Sequence, residues 1–231
     1  GISNSDAGSL FLMMSLGMLT GPLISGLCTN TLMHRGTLSL SNLVVGLSLT
    51  TAYFSDSVLL LQLSLVFLGA AAGIHIPSAM ATITAQVQRS DWGKALSIHQ
   101  LAPPASFTLA PLLAAFLAAW LNWREILLVI GLISLLSGAC YRLWSNSGIF
   151  PGQMPRPQVI KEVLGQGSFW VMAALFAMAM GGTAGVFSML PLYLIDVKGF
   201  SPGMANTVVG FSQATGFITV LIAGMLTDRM G

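Results

Sequence analysis

The sequence predicts an all-α polytopic membrane protein, and three observations predict it. Only 7% of the 231 residues are charged while 55% are hydrophobic, whereas a soluble globular chain carries about 25% charged residues. The charges are gathered in short clusters, leaving charge-free intervals at 7–33, 36–55, 57–88, 95–123, 126–141, 163–195 and 199–227. Two stretches 198 positions apart also read as copies of one unit: Gly1-Ile2-Ser3 matches Gly199-Phe200-Ser201, Ala7 matches Ala205, and Gly26 matches Gly224. A mean hydropathy of +0.82 agrees.

Each interval defines an element. Crossing the hydrocarbon takes about 20 apolar residues, with a range of about 17–25, and six intervals meet that length. The seventh, 126–141, reaches it if Arg142 snorkels to the interface and Leu143-Trp144 complete the helix. The expected helices are therefore 8–29, 37–54, 58–84, 95–120, 124–144, 168–194 and 204–226. Seven crossings put Arg35, Arg89, Lys94, Arg142, Arg156, Lys161 and Arg229 on one side, with Arg124 and Lys198 on the other. Short loops rich in Lys and Arg stay in the cytoplasm. This places Gly1 outside and Gly231 in the cytoplasm, in a multi-pass protein of the plasma (inner) membrane. Cys28 and Cys140 then lie near the reducing side, where a disulfide is not expected.

Within the helices no Asp, Glu, Lys or Arg lies near a centre, so the usual pointer to an intramembrane ion site is missing. The polar residues that remain give the candidate cavity lining: His75, His99, Gln100, Thr183 and Gln213. His75 and His99 lie on consecutive helices running in opposite directions, at similar expected depth near the inner mouth. An imidazole there could bind substrate or relay a proton near neutral pH; the alternative is a hydrogen bond to a backbone carbonyl beside Pro77 or Pro103. Gln213 is near mid-depth, with interhelical hydrogen bonding as its alternative. Ala102, Ser106, Ala110, Ala114 and Ala118 recur every fourth residue as a small stripe, which in lipid favours close packing of another helix. The expected partner is 204–226, and the contact is either static or a sliding interface. Gly17, Gly21 and Ser25 form a shorter stripe whose partner is expected outside the chain. Gly181-Gly182 and Gly185 are expected to interrupt the helix at 168–194 as a hinge or cavity wall. Residues 145–167, with Pro151, Pro155 and Pro157, read as a linker holding a short amphipathic turn at 158–165.

The second copy of the repeat closes on Gly224-Met225-Leu226-Thr227-Asp228-Arg229-Met230-Gly231. This G-x-L-x-D-R-x-G string, placed after a helix on the positive side, resembles the loop signature of the major facilitator superfamily of transporters. Starting from Gly26, the first copy is degenerate, with Asn30 in the aspartate slot and Thr31 in the arginine slot. Trp123-Arg124 is similar to that family's start of its sixth helix. Leu190-Pro191-Leu192-Tyr193-Leu194 resembles the end of its seventh. Leu109–Ala115 resembles a glycine-proline signature described for antiporters, with alanines in place of the glycines. Leu65 stands where the family has an arginine before its small run Gly69–Gly73, which removes the group assigned to proton coupling.

The resemblance implies a twelve-helix, two-half transporter fold of which this chain holds helices two to eight. Residues 1–144 would be the N-terminal half lacking its first helix. Residues 145–167 would be the cytoplasmic linker between halves, and residues 168–231 the start of the C-terminal half. It further implies a gating loop made of Gly224, Asp228, Arg229 and Gly231, with Gly26 and Asn30 as the first-half counterpart. Asp228 would dock at the helix N-terminus near Trp92. The implied function is secondary transport of a small solute by alternating access, with a proton as candidate coupling ion and the bilayer as surroundings. A seven-helix receptor is the alternative. No Ser-His-Asp set, paired aspartates or His-Glu metal spacing occurs in the helices, so neither enzyme, metal, cofactor nor nucleic-acid partner is expected.

Overall fold

The computed structural model of the chain describes residues 4–153, 157–201, 203–205, 207–212 and 222, and every regular element among them is helical. Lipid offers backbone groups no partners, and a helix satisfies them internally. In order, α1 is Asn4–Tyr53, α2 Val58–Thr84, α3 Trp92–His99, α4 Ala102–Ala118, α5 Trp123–Trp144, α6 Pro157–Leu164 and α7 Gly167–Asp196, with a 3-10 turn at Arg89–Asp91.

α1 is two crossings folded back at one residue. Met33 breaks it with φ 60° and ψ 171°, a conformation that L side chains rarely adopt. The arms on either side, 4–32 and 34–53, meet the same turn of α2. A Cβ built on Gly17 would lie 2.9 Å from the Ala70 amide, while Ser41 Oγ donates to the Ala71 carbonyl at 2.9 Å. In a straight helix, residues 24 apart are separated by about 36 Å, so the arms must be antiparallel. This gives the two expected helices, but the helix runs on through Leu32, where a loop was expected.

Gly8–Tyr53, Val58–Thr84, Arg89–Ala118 and Trp123–Trp144 are each long and apolar enough to cross a membrane. α6 and the first part of α7, bent by 76°, qualify only as a pair. The expected helix at 204–226 falls largely outside the described residues; those described at 203–205, 207–212 and 222 are helical.

Two expectations about helix continuity are corrected. The helix expected over 95–120 is broken at Gln100 and Leu101 between α3 and α4. Continuing α3 would require amide protons that Pro103 and Pro104 lack; in the first turn of a new helix those protons have no partner anyway. Conversely, α7 runs unbroken through Gly181 and Gly182, so the expected interruption is absent.

The chain divides into two compact units: Gly1–Leu96 with Ala118–Met154, and Ser97–Leu117 with Pro155–Gly231. Residues 97–117, read from sequence as part of the first half, thus cluster with the later residues. The first unit is held by glycine seams. Cβ atoms on Gly17 and Gly69 would overlap the carbonyl oxygens of Val66 and Met14, and Gly21 and Gly73 lie backbone to backbone. The partner of the Gly17-Gly21 stripe is therefore α2, within this chain. On the other face of the hairpin Ser39 Oγ donates to Gly138 O at 2.7 Å, and Ser134 Oγ donates to Asn42 O at 2.8 Å, joining α1 to α5.

Among the described residues of the second unit, the approach of α4 to 207–212 is not made through the expected stripe. Ala102, Ser106, Ala110, Ala114 and Ala118 are exposed, while Leu101, Pro104, Ala105 and Thr108 are half-buried. The Thr108 carbonyl lies 3.6 Å from where a Cβ on Gly210 would sit. α4 thus meets the segment 207–212 through the face opposite the stripe. Thr108 suits that face because its hydroxyl is satisfied within the helix, donating to Pro104 O at 2.9 Å.

Candidate functional site

The corner at Met33 is the most elaborated part of the first unit. The hydroxyl of Thr29, a buried residue, donates to Ser25 O and Gly26 O at 3.0 and 3.2 Å. Along the corner runs the start of the expected linker. Gly152 N donates to Thr29 O at 3.1 Å, His34 N to Phe150 O at 3.2 Å, and Arg35 N to Gly148 O at 2.8 Å. Gly148 has φ +72° and lies against Arg35 and Thr82, while a Cβ on Gly152 would overlap the Thr29 side chain. Only glycine fits at either position. The His34 and Phe150 rings pack at 4.6 Å between centroids. Residues 148–152 are therefore a strap fastened to the first unit. The amphipathic turn expected at 158–165 is α6.

This corner is where the degenerate signature falls. Gly26 is half-buried and Asn30 exposed, on the last turns of the first arm. His34, at the end of the crossing, is 8% exposed and its Nδ1 has no partner among the described residues.

His75 lies on α2 facing the second arm of α1. Ser41 has one hydroxyl proton, and it goes to Ala71 O. The 3.5 Å contact of Ser41 Oγ with His75 Nδ1 is then one in which the ring N–H donates. One turn further on, Ser78 is fully buried and its hydroxyl has no partner among the described residues. His99, half-buried, ends α3, and exposed Gln100 follows in the break. His75 belongs to the first unit and His99 to the second. Thr183 is in α7, but its side chain lies outside the described residues, as do Gln213, Gly224, Asp228, Arg229 and Gly231 entirely.

The helix expected to receive Asp228 is well defined at its start. Trp92 Nε1 donates to Thr84 O at 3.1 Å, Arg89 stacks on the Trp92 ring at 5.4 Å, and Lys94 pairs with Asp91 at 2.9 Å. At the opposite end of the first unit, Tyr53, Phe54, Asp56, Asn122 and Arg124 line an open cleft of about 300 Å³. Arg124 pairs with Asp56 at 3.1 Å and stacks on Trp123 at 5.0 Å. Asn122 caps α5 in a capping box with Glu125.

Sequence reasoning missed the strap and the glycine seam. The seam had a signal: Gly17-Gly21 and Gly69-Gly73 share the four-residue spacing of close helix pairs. The strap had none, since its contacts are backbone bonds between residues more than a hundred positions apart.

Antiparallel membrane-length helices joined by glycine contacts define an integral, multi-pass α-helical membrane protein. Comparison with known proteins narrows this: the Major Facilitator Superfamily matches over residues 1–231, and the chain belongs to that family. It is 22% identical to the membrane sensor protein UhpC of Salmonella typhimurium, an alignment covering 99% of this chain and 57% of that protein. It is 26% identical to the MFS-type transporter pytF of Aspergillus terreus, over 96% of this chain and 74% of that protein. The chain thus spans little more than half the length of the first of these relatives.

Proposed function

We propose that this chain forms part of a secondary transporter that moves a small solute by alternating access between two helical halves. The observation that carries the reading is the family match along all 231 residues, supported by the 198-residue repeat and by a relative named as a transporter. His75 is the favoured lining group, since it is half-buried, is the one titratable residue on α2 and contacts Ser41. Gly1 faces outward and Gly231 the cytoplasm, following the cation asymmetry. Asp228 acts as a gate by docking near the start of α3, where Lys94 is already engaged by Asp91. A proton is the candidate coupling ion, although Leu65 supplies no charge at the usual position.

The test is uptake by the intact protein reconstituted in vesicles, across a solute panel with and without an imposed pH gradient. Flux of any solute above empty vesicles supports the reading, and dependence on the gradient adds proton coupling. Saturable binding without flux would overturn it in favour of a second reading, a membrane sensor, which the Salmonella relative favours.

A further inference from the structure

We propose that the corner between the hairpin α1 and the end of α5 is a binding site for a phosphate-type anion, with the headgroup of an anionic lipid as the favoured source. Two arginines meet there, each reaching the backbone beside the other. Arg35 Nη2 donates to the Arg142 backbone carbonyl, and Arg142 Nη1 lies 3.5 Å from where a Cβ on Gly36 would sit. Neither has a carboxylate partner among the described residues, where the ion pairs are Lys94–Asp91 and Arg124–Asp56.

An anion at this corner would face two cations at once. Arginine is also the side chain whose planar fork matches phosphate oxygens. A further donor is already desolvated: Arg35 Nε is buried and has no acceptor among the described residues. Leaving such a group unpaired is costly, and a bound anion would supply the acceptor.

The surroundings favour a lipid. Leu143 and Trp144, the two residues after Arg142, are 71% and 76% exposed, and Leu32 before the break is exposed as well. Apolar side chains next to cations at the end of membrane-length helices match a headgroup with its chains alongside. The inference is independent of whether the protein transports or senses.

The experiment is native mass spectrometry of the intact protein in detergent, titrated with phosphatidylglycerol or phosphatidylcholine, with a parallel thermal-unfolding series in inorganic phosphate. The site predicts retained phosphatidylglycerol in excess of phosphatidylcholine. Arg142→Gln should weaken it about five-fold, the effect of one cation near a charged headgroup, while Arg142→Lys should fall between. Arg124→Gln, at the other end of the unit, should match wild type. Arg142 is exposed, so its replacement should leave the lipid-free unfolding temperature unchanged, and this control separates lost binding from lost folding. Protection by inorganic phosphate, lost in Arg142→Gln, would make free phosphate the source. Phosphatidylglycerol binding unchanged in Arg142→Gln, with no protection by phosphate, would overturn the proposal.

Discussion

Met33 carries the largest backbone strain among the described residues, being the one non-glycine residue there with positive φ. Such a conformation costs about 1–3 kcal/mol in a side-chain-bearing residue. Met33→Gly is therefore expected to raise the thermal midpoint of the detergent-solubilised protein, and Met33→Val to lower it; a lower midpoint for the glycine variant would refute the strain. Gly152 gives the opposite test. Its Cβ position overlaps Thr29, whereas that of Gly167 is open. Gly152→Ala should cost about 1–3 kcal/mol, as overfilling does, and expose the strap to protease, while Gly167→Ala should not.

Among elements, the closest approach is between the first arm of α1 and α2. In Gly69→Ala the new methyl would meet the Met14 carbonyl, a backbone atom that no rotamer change can move. A loss of at least about 1–3 kcal/mol is expected, against less than about 0.5 kcal/mol for Ala114→Leu on the exposed stripe. Parallel thermal unfolding of the two variants decides this. Equal losses would mean that the stripe is packed after all. The contrast shows what was legible in the sequence. Charge-free intervals located the helices because desolvating charge dominates everything else in lipid. Small-residue spacing showed that close contacts exist but not which face makes them: on α4 the contact with the described residues 207–212 runs through Thr108 and not through the alanines on the opposite side of the helix. The break before Pro103-Pro104 was readable from proline chemistry, and the run of apolar residues obscured it.

For the whole molecule, family and architecture were open to reading because topology repeats them, in the 198-residue copy and in the cation asymmetry. The site was not, because a transporter's cavity is assembled from helices distant in sequence, and no residue type marks it when charge is absent. The gate can nevertheless be tested in the intact protein. A carboxylate at a helix N-terminus is worth about 0.3–1 kcal/mol, rising to about 2 when partly buried. That is enough to shift an inward–outward equilibrium several-fold. Asp228→Asn should therefore increase labelling of a cytoplasmic-side cysteine by a thiol reagent, and Asn30→Ala should do so less. Identical labelling of Asp228→Asn and wild type would dismiss the gate.

The fastened strap also bears on how this protein can be engineered. Thr29 to Gly36 reads as the natural place for an epitope tag or a reporter insertion, being polar and between two crossings. In the folded chain it is a one-residue reversal, and three backbone bonds from residues 148–152 cover it. Extra residues there would have to unseat a segment from the far end of α5. The turn at 85–88, which among the described residues carries no such cover, should accept the same insertion. A scan of tag positions would then report the shape of this corner directly, as a gap in tolerance where the polarity of the sequence forecasts a peak.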